Sequence, residues 1–345
     1  MRIAVLVPDR DPNPWYRALL PMEMLGQLRG HTIATAEVTG LDTIPDFEEL
    51  ATFDVVYIWR MYYLPLRRLA AALQRRGVAV IWDNDVDMFA VPRSAVAYRW
   101  FGGLRGQREW REMQRMIRQV DAVATTTPAL ADKYRPIGNG HVYVIESYLP
   151  GTFPRARAAH RSRLVVGWLG TNEHLEDLRR LRIAETLTRV LDFRPNVDVV
   201  SVGLSLPLRT ARYRELRPRT MEERHELLGT IHVGLAPLAD TAYNRAETTL
   251  QIKEYAAFGV PWLASPVGAH AALGPAQGGW LVEDDAWEQR LTQLLTDAAV
   301  RDDLSRAGHA WAQQQTIEHH VDEWERMLVE TVQRIRSPRS QPATA

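Results

Sequence analysis

The chain has 345 residues, 46% of them hydrophobic and 24% charged, and its 42 basic and 42 acidic residues cancel to no net charge. That length exceeds one comfortable hydrophobic core and predicts two domains, and zero net charge removes any overall field that would gather nucleic acid or an anionic membrane. Cysteine is absent, which excludes disulfides, thiol nucleophiles and Cys-based metal sites. The opening MRIAVLVPDRDPNPW lacks the longer apolar core and small-residue cleavage site of a secretory signal. No apolar run reaches the roughly 18 residues of a membrane span, so a cytoplasmic location is expected.

In chain order, RIAVLVP (2–8) reads as a buried strand, and 15–28 carries apolar residues at helical spacing until Gly30 stops it. Further strands are predicted at 32–37, 55–59, 78–82, 122–126 and 142–145, with helices at 66–74 and 108–120 between them. Strand and helix alternating over short links imply a parallel, doubly wound α/β sheet. LPGTFPRARAAHRSR then breaks the pattern, and 151–162 is read as a linker after a first domain at 1–150. The alternation restarts with strands at 164–169, 197–203, 233–237, 262–265 and 280–282, and with helices from about 175 and at 250–258, which gives a second domain over 163–315. Ile317, Val321, Trp324, Leu328, Val332 and Ile335 line one face of a helix over 316–337, which must dock on another element. The residues at 338–345 have no such pattern and read as a disordered tail.

Several stretches carry candidate chemistry. Gly167, Gly170 and Thr171 stand between a strand and a helix, where glycine lets backbone approach a phosphate and helix N–H groups point at it; such turns also use glycine for purely steric reasons. Arg60 ends the strand VVYIWR, and strand C-termini face the ligand crevice of open α/β sheets. IWDNDVDMF (81–89) holds two overlapping Asp-x-Asp triplets after an apolar run, a pattern that sugar-transfer enzymes use to hold a metal against a nucleotide diphosphate. Residues 93–118 include seven arginines and two acids with Trp100, Phe101 and Trp110 among them. That segment suits a solvated face, peripheral contact with the inner face of a membrane, or a polyanion.

VGLAPLADTAYNRAETTLQIKEYAAFGVPWLASPVGA (233–269) resembles the donor half of family-four retaining glycosyltransferases (group 1 type), which have the two-Rossmann GT-B fold. The matching residues are Pro237-Leu238, Glu254-Tyr255-Ala256-Ala257 and Gly259 to Ser265, followed by GGWLVEDD. VVGWLGTNEHLEDL (165–178) resembles the opening of the second domain in one subgroup, and DAVATTTPALADKYR and VYVIESYLP resemble the last strands of its first domain.

The resemblance implies two Rossmann-like domains with parallel sheets, the C-terminal helix crossing back to the first. It implies transfer of a sugar from a UDP-, GDP- or TDP-sugar, with retention, without a metal and with no tightly bound cofactor. Glu254 would accept the ribose hydroxyls, and Gly170, Thr171, Thr248, Thr249 and Lys253 would meet the diphosphate or sugar. The family glutamate eight positions before Glu254 falls on Ala246, with Glu247 adjacent, and the usual lysine is Gln251. Arg245 is then the first choice to neutralise the leaving diphosphate, and His174 matches a subgroup histidine. Arg17 lies where the family's first loop approaches its substrates. The donor features lie far beyond the Asp-x-Asp triplets, which places these carboxylates poorly for the donor's metal. Related enzymes set a histidine near the transferred sugar where Asp83 falls, so the resemblance gives Asp83 to that sugar, Asp85 with Arg17 and Arg60 to the acceptor side, and no residue to a metal. The acceptor stays open: a glycan, a lipid-linked glycan, a small molecule or a polyanion such as nucleic acid. A non-catalytic nucleotide-binding or scaffolding relative is the alternative that Gln251 and Glu247 leave standing.

Overall fold

The computed structural model describes residues 1–9, 14–151, 163–218 and 220–337. All of the expected linker after Gly151, and the whole tail at 338–345, therefore lie outside the described residues. The chain divides into two compact units, the first from Met1–Val86, Gln107–Ser147 and the chain from Ile317 on, the second from Asp87–Gly106 and Tyr148–Thr316.

In the first unit β1 (Arg2–Val7), β2 (Thr32–Glu37), β3 (Val55–Trp59), β4 (Ala79–Asp83), β5 (Ala122–Thr125) and β6 (Val142–Val144) form one sheet in the order β2-β1-β3-β4-β5-β6. Every pairing is parallel. Helices cover both faces of such a sheet, so central strands must be apolar on both sides, and β3 (VVYIW) and β4 (AVIWD) are buried at every position. The edge strand β2 (TIATAE) is correspondingly polar and largely exposed. The Ile317–Arg336 helix belongs to this unit and buries Ile317, Val321, Trp324, Leu328 and Val332, the face its spacing predicts. Trp324 lies 6.0 Å from the Tyr57 ring, and the Arg17 guanidinium stands 4.7 Å over it.

The second unit holds β7 (Leu164–Leu169), β8 (Val197–Val202), β9 (Tyr213–Leu216), β10 (Val233–Ala236), β11 (Trp262–Ala264) and β12 (Gly279–Leu281) in the order β12-β11-β10-β7-β8-β9. All of these pairings are parallel too. From β7 the chain builds outward to β9, then returns to build β10 to β12 on the other side. That reversal falls between β7 and β10, and open α/β sheets bind ligands beyond the C-terminal strand ends at such a point. β9 was not anticipated: as an edge strand (YREL) it is only half-buried and carries no apolar run. At the end of β8, Gly203 adopts φ +94°, and a Cβ there would meet the Gly170 carbonyl at 2.5 Å, so only glycine fits.

Trp324 is fully buried. Trp324→Ala is expected to destabilise the first unit by about 3–5 kcal/mol, measured as a fall in its denaturant midpoint.

Candidate functional site

The end of β7 runs through Gly170 and Thr171 into a short turn, Asn172–His174, and then the Leu175–Arg180 helix. A Cβ on Gly170 would meet the Trp168 ring at 2.2 Å, and its N–H donates to Val202 O at 3.0 Å. Packing thus explains this glycine, and Thr171 is the exposed residue of the turn.

Asp177 joins this turn to the loop after β10. Its Oδ1 accepts from Asn244 Nδ2 at 2.7 Å and from the Ala239 N–H at 3.2 Å. Its Oδ2 lies 3.0 Å from His174 Nδ1. Asn244 also donates to Ala239 O at 2.8 Å, and Thr241 caps the Ala242–Arg245 helix that carries it. Burial alone lowers the pKa of His174, but the Asp177 hydrogen bond and the charge of Glu247 outweigh it and the net shift is upward. Arg245 is exposed, with Nε and Nη2 on Asp240 at 2.6 and 2.7 Å.

Thr248 and Thr249 lead into the Leu250–Ala257 helix, and Thr248 Oγ1 accepts from Leu250 N at 3.3 Å. Gln251, at the expected lysine position, turns its amide onto the strand ends: Nε2 donates to Leu169 O at 2.9 Å and Leu235 O at 3.2 Å. Lys253 is buried, its Nζ 4.4 Å over the Tyr148 ring. Glu254 is buried as well, and Arg224, from the Met221–Leu228 helix, donates Nε to Oε1 at 2.9 Å and Nη2 to Oε2 at 2.6 Å. His270, in the Gly268–Ala272 turn after β11, lies with Nε2 3.2 Å from Thr248 O. Burial, with the charge of His174, pushes the His270 pKa down to about 4.

In the first unit Arg17, Tyr57 and Asp83 form a buried cluster. Arg17 reaches Asp83 through Nε–Oδ1 at 3.0 Å and Nη2–Oδ2 at 2.8 Å, Tyr57 donates to Asp83 Oδ2, and Arg17 also donates to Ile145 O. Burial pushes the Asp83 pKa up to about 6 although Arg17 opposes the shift. Nearer the surface, Arg60 ends β3 in the left-handed region at φ 59°. Its guanidinium stacks 4.2 Å over Trp59, and its Nε holds Asp85 Oδ1 at 2.5 Å. A bulky residue in that conformation is held by its surroundings, here at the C-terminal edge of the first sheet.

The structure therefore brings Arg17 to Asp83, Arg60 to Asp85, and Thr248, Thr249, Lys253 and Glu254 to the start of one helix. Thr171 and His174 share the turn after β7. Among the described residues no cluster of three or more His, Asp or Glu is placed to hold a metal ion. Sequence reasoning passed over Asp177, Asn244, His270, Tyr57 and Arg224. The first two stand in stretches already singled out, NEHLEDL and YNR, whereas Arg224 lies 30 residues from Glu254 and leaves no local signal.

Two parallel six-stranded α/β units with these strand orders define the GT-B fold. The likeness extends over most of the chain in several solved structures. HepE from Anabaena, solved in complex with UDP and glucose, matches over 94% of this chain and 99% of its own, with a TM-score of 0.61 and 13% identity. Sucrose-phosphate synthase from Thermosynechococcus elongatus matches over 97% and 98%, with a TM-score of 0.61 and 17% identity. A glycosyltransferase from Rickettsia africae covers the same shares, with a TM-score of 0.65 and 12% identity. No protein family and no curated protein matches the sequence.

His270 and Asp83 respond to acid in opposite directions. His270 stays neutral in the folded chain down to about pH 4, while in the unfolded chain it takes a proton near its usual 6.5. The contribution of His270 to the second unit is thus fully present above 6.5 and lost as pH falls from there toward 4, at roughly 1.4 kcal/mol per pH unit. Asp83 works the other way: its folded carboxyl holds a proton up to about 6 against the usual 3.8, so stability of the first unit gains as pH falls across that window. His270→Gln is expected to flatten the acid loss of the second unit alone, read by segment-resolved hydrogen exchange between pH 4 and 7.

Proposed function

We propose that the protein is a glycosyltransferase that moves a sugar from a nucleotide-sugar to an acceptor, with retention and without a metal ion. In this reading the second unit takes the donor and the first the acceptor. The observation that carries it is Glu254, a buried carboxylate on the helix after β10, at the strand reversal of the second sheet. A carboxylate there suits ribose hydroxyls, which donate hydrogen bonds, and not phosphate, which it repels. The fold likeness to a protein named as a glycosyltransferase, and to HepE, solved with UDP and glucose, supports the same reading.

The chemistry then distributes over this chain's own groups. Gly170 and Thr171, with Thr248 and Thr249, form the turns that face the diphosphate; Gly170 keeps its N–H on Val202 O and shapes its turn, while the threonine hydroxyls serve a ligand rich in acceptors. As the bond from the anomeric carbon to the phosphate oxygen breaks, the acceptor hydroxyl oxygen takes its place and releases its proton, and negative charge collects on the departing diphosphate. Arg245 is the exposed cation that meets this charge, leaving Asp240 to do so. His174, its pKa raised beside Asp177 and Glu247, supplies a second positive donor. Lys253, buried against Tyr148, contributes its charge from behind the helix start. In the first unit Arg60 and Asp85 serve the acceptor, and Asp83 acts through Arg17 and Tyr57, whose positions it fixes.

The basic, aromatic segment supports peripheral membrane contact. Val96 in a turn, Trp100 in the Tyr98–Phe101 helix and Leu104 in the Gly103–Gln119 helix are exposed, and the guanidinium groups of Arg99 and Arg105 stand 5.4 and 3.7 Å over Trp100. Exposed apolar side chains beside arginines fit the headgroup region of an anionic bilayer. Sedimentation with phosphatidylglycerol vesicles is expected to carry the protein down, and Trp100→Ala with Leu104→Ser to abolish it. Equal binding by that double variant would remove the membrane contact from the proposal.

Incubation with UDP-, GDP- and TDP-sugars and a panel of acceptors, read by mass spectrometry, should give a glycosylated product from at least one donor. Arg245→Ala is expected to lower kcat by about 10²- to 10³-fold with a smaller change in donor KM. Binding of every donor without turnover would overturn the enzyme reading.

A further inference from the structure

The partner of Glu254 suggests how the donor site is controlled. Both oxygens of this carboxylate are engaged by one guanidinium fork, Nε on Oε1 and Nη2 on Oε2, at 2.9 and 2.6 Å. The Glu254 side chain is 2% exposed and that of Arg224 is 24% exposed, so the arginine lies over the carboxylate on its solvent side. A planar pair of N–H donors meeting two carboxylate oxygens side by side has the same hydrogen-bonding pattern as the two hydroxyls of a ribose vicinal diol. Of the Met221–Leu228 helix that carries Arg224, Leu228 is the buried residue, and the His225 ring is tilted against Phe258 at 5.4 Å.

We propose that Arg224 is an internal competitor for the donor's ribose, occupying the two oxygens of Glu254 until a vicinal diol displaces it. The inference rests on the donor reading of Glu254. It adds that a nucleotide binds only when the Met221–Leu228 helix gives up its ion pair, so that the carboxylate exchanges one bidentate donor for another and never stands buried without a partner. A released Arg224 keeps its positive charge beside an anionic ligand, which makes the exchange reversible on both sides. Selectivity follows as well: a ligand with one hydroxyl where ribose has two cannot replace both arms of the fork, and the arginine returns.

Calorimetric titration of the wild-type protein, Arg224→Gln and Glu254→Gln with UDP and with 2′-deoxy-UDP tests this. Arg224→Gln is expected to bind UDP roughly tenfold more tightly than the wild type, with a smaller gain for 2′-deoxy-UDP. Its melting temperature should fall at the same time, because the Arg224–Glu254 ion pair is lost. An arginine with a purely structural role would lower affinity and stability together, so UDP binding that is unchanged or weaker in Arg224→Gln overturns the competitor role. Absence of UDP binding in both proteins does the same. Should Arg224→Gln fail to fold, Arg224→Lys, which keeps the charge and gives up the fork, should show an intermediate gain, and no gain there counts against the proposal. Glu254→Gln separates the two levels. If it erases the preference for UDP over 2′-deoxy-UDP while Arg224→Gln gains nothing, the ribose reading stands and the competitor falls. If it leaves both affinities untouched, the ribose reading falls with it.

Discussion

A buried carboxylate must be given partners, and Asp177 is the one on which the ligand face of the second unit depends. It collects the His174 ring, the Asn244 amide and the Ala239 N–H, three groups from two loops that leave neighbouring strands, β7 and β10. Loop ends that diverge from adjacent parallel strands have no ladder to hold them in register. Here one side chain supplies that register, and the position of His174 relative to the loop after β10 follows from it. Removing the carboxylate would leave the Asn244 amide with Ala239 O alone and would take from the Ala239 N–H the acceptor it reaches, a cost out of proportion to the size of the group.

The fold was largely legible because its central strands are obliged to be apolar on both faces. Runs such as VVYIW, AVIWD and LVVGWL can satisfy that demand in few other ways, and the stripe on the last helix marked the face that docks. What escaped was the edge: Tyr213–Leu216 needs no apolar run, since only part of it is covered. The assignment of Asp87–Gly106 to the second unit escaped for a different reason. It is fixed by contacts such as the Val96 N–H on Asn172 Oδ1 at 2.7 Å, which join positions 76 residues apart and leave no periodicity behind.

The side-chain pairings among the candidate site residues were illegible in the sequence. Asp83 drew notice as part of an Asp-x-Asp triplet, yet its surroundings are decided by Arg17 and Tyr57, which reach it from a turn after β1 and from β3. Arg245 ranked ahead of Lys253 as the available cation, but the sequence did not show that one is exposed on Asp240 and the other buried against an aromatic ring. Gln251 looked like a missing charge; its amide instead spans the carbonyls at the ends of β7 and β10, a task a single ammonium group would perform with less directional control. Spacing along a chain reports which side chains share a face of one element. It carries no information on which element will pack above that face.

The order in which the chain contributes to the first unit has a consequence for biosynthesis. That unit needs residues from both ends of the sequence, because the Ile317–Arg336 helix supplies Trp324 beside Tyr57 and Arg17. A ribosome delivers β1 to β6 early, but the apolar surface awaiting Trp324, Leu328 and Val332 stays uncovered until translation has passed through the entire second unit. The second unit, drawn from 87–106 and 148–316, has all its parts sooner and is free to close first. Nascent chains of this protein therefore carry a complete first sheet with an uncovered apolar face while the second unit is made, a surface of the kind that chaperones shield.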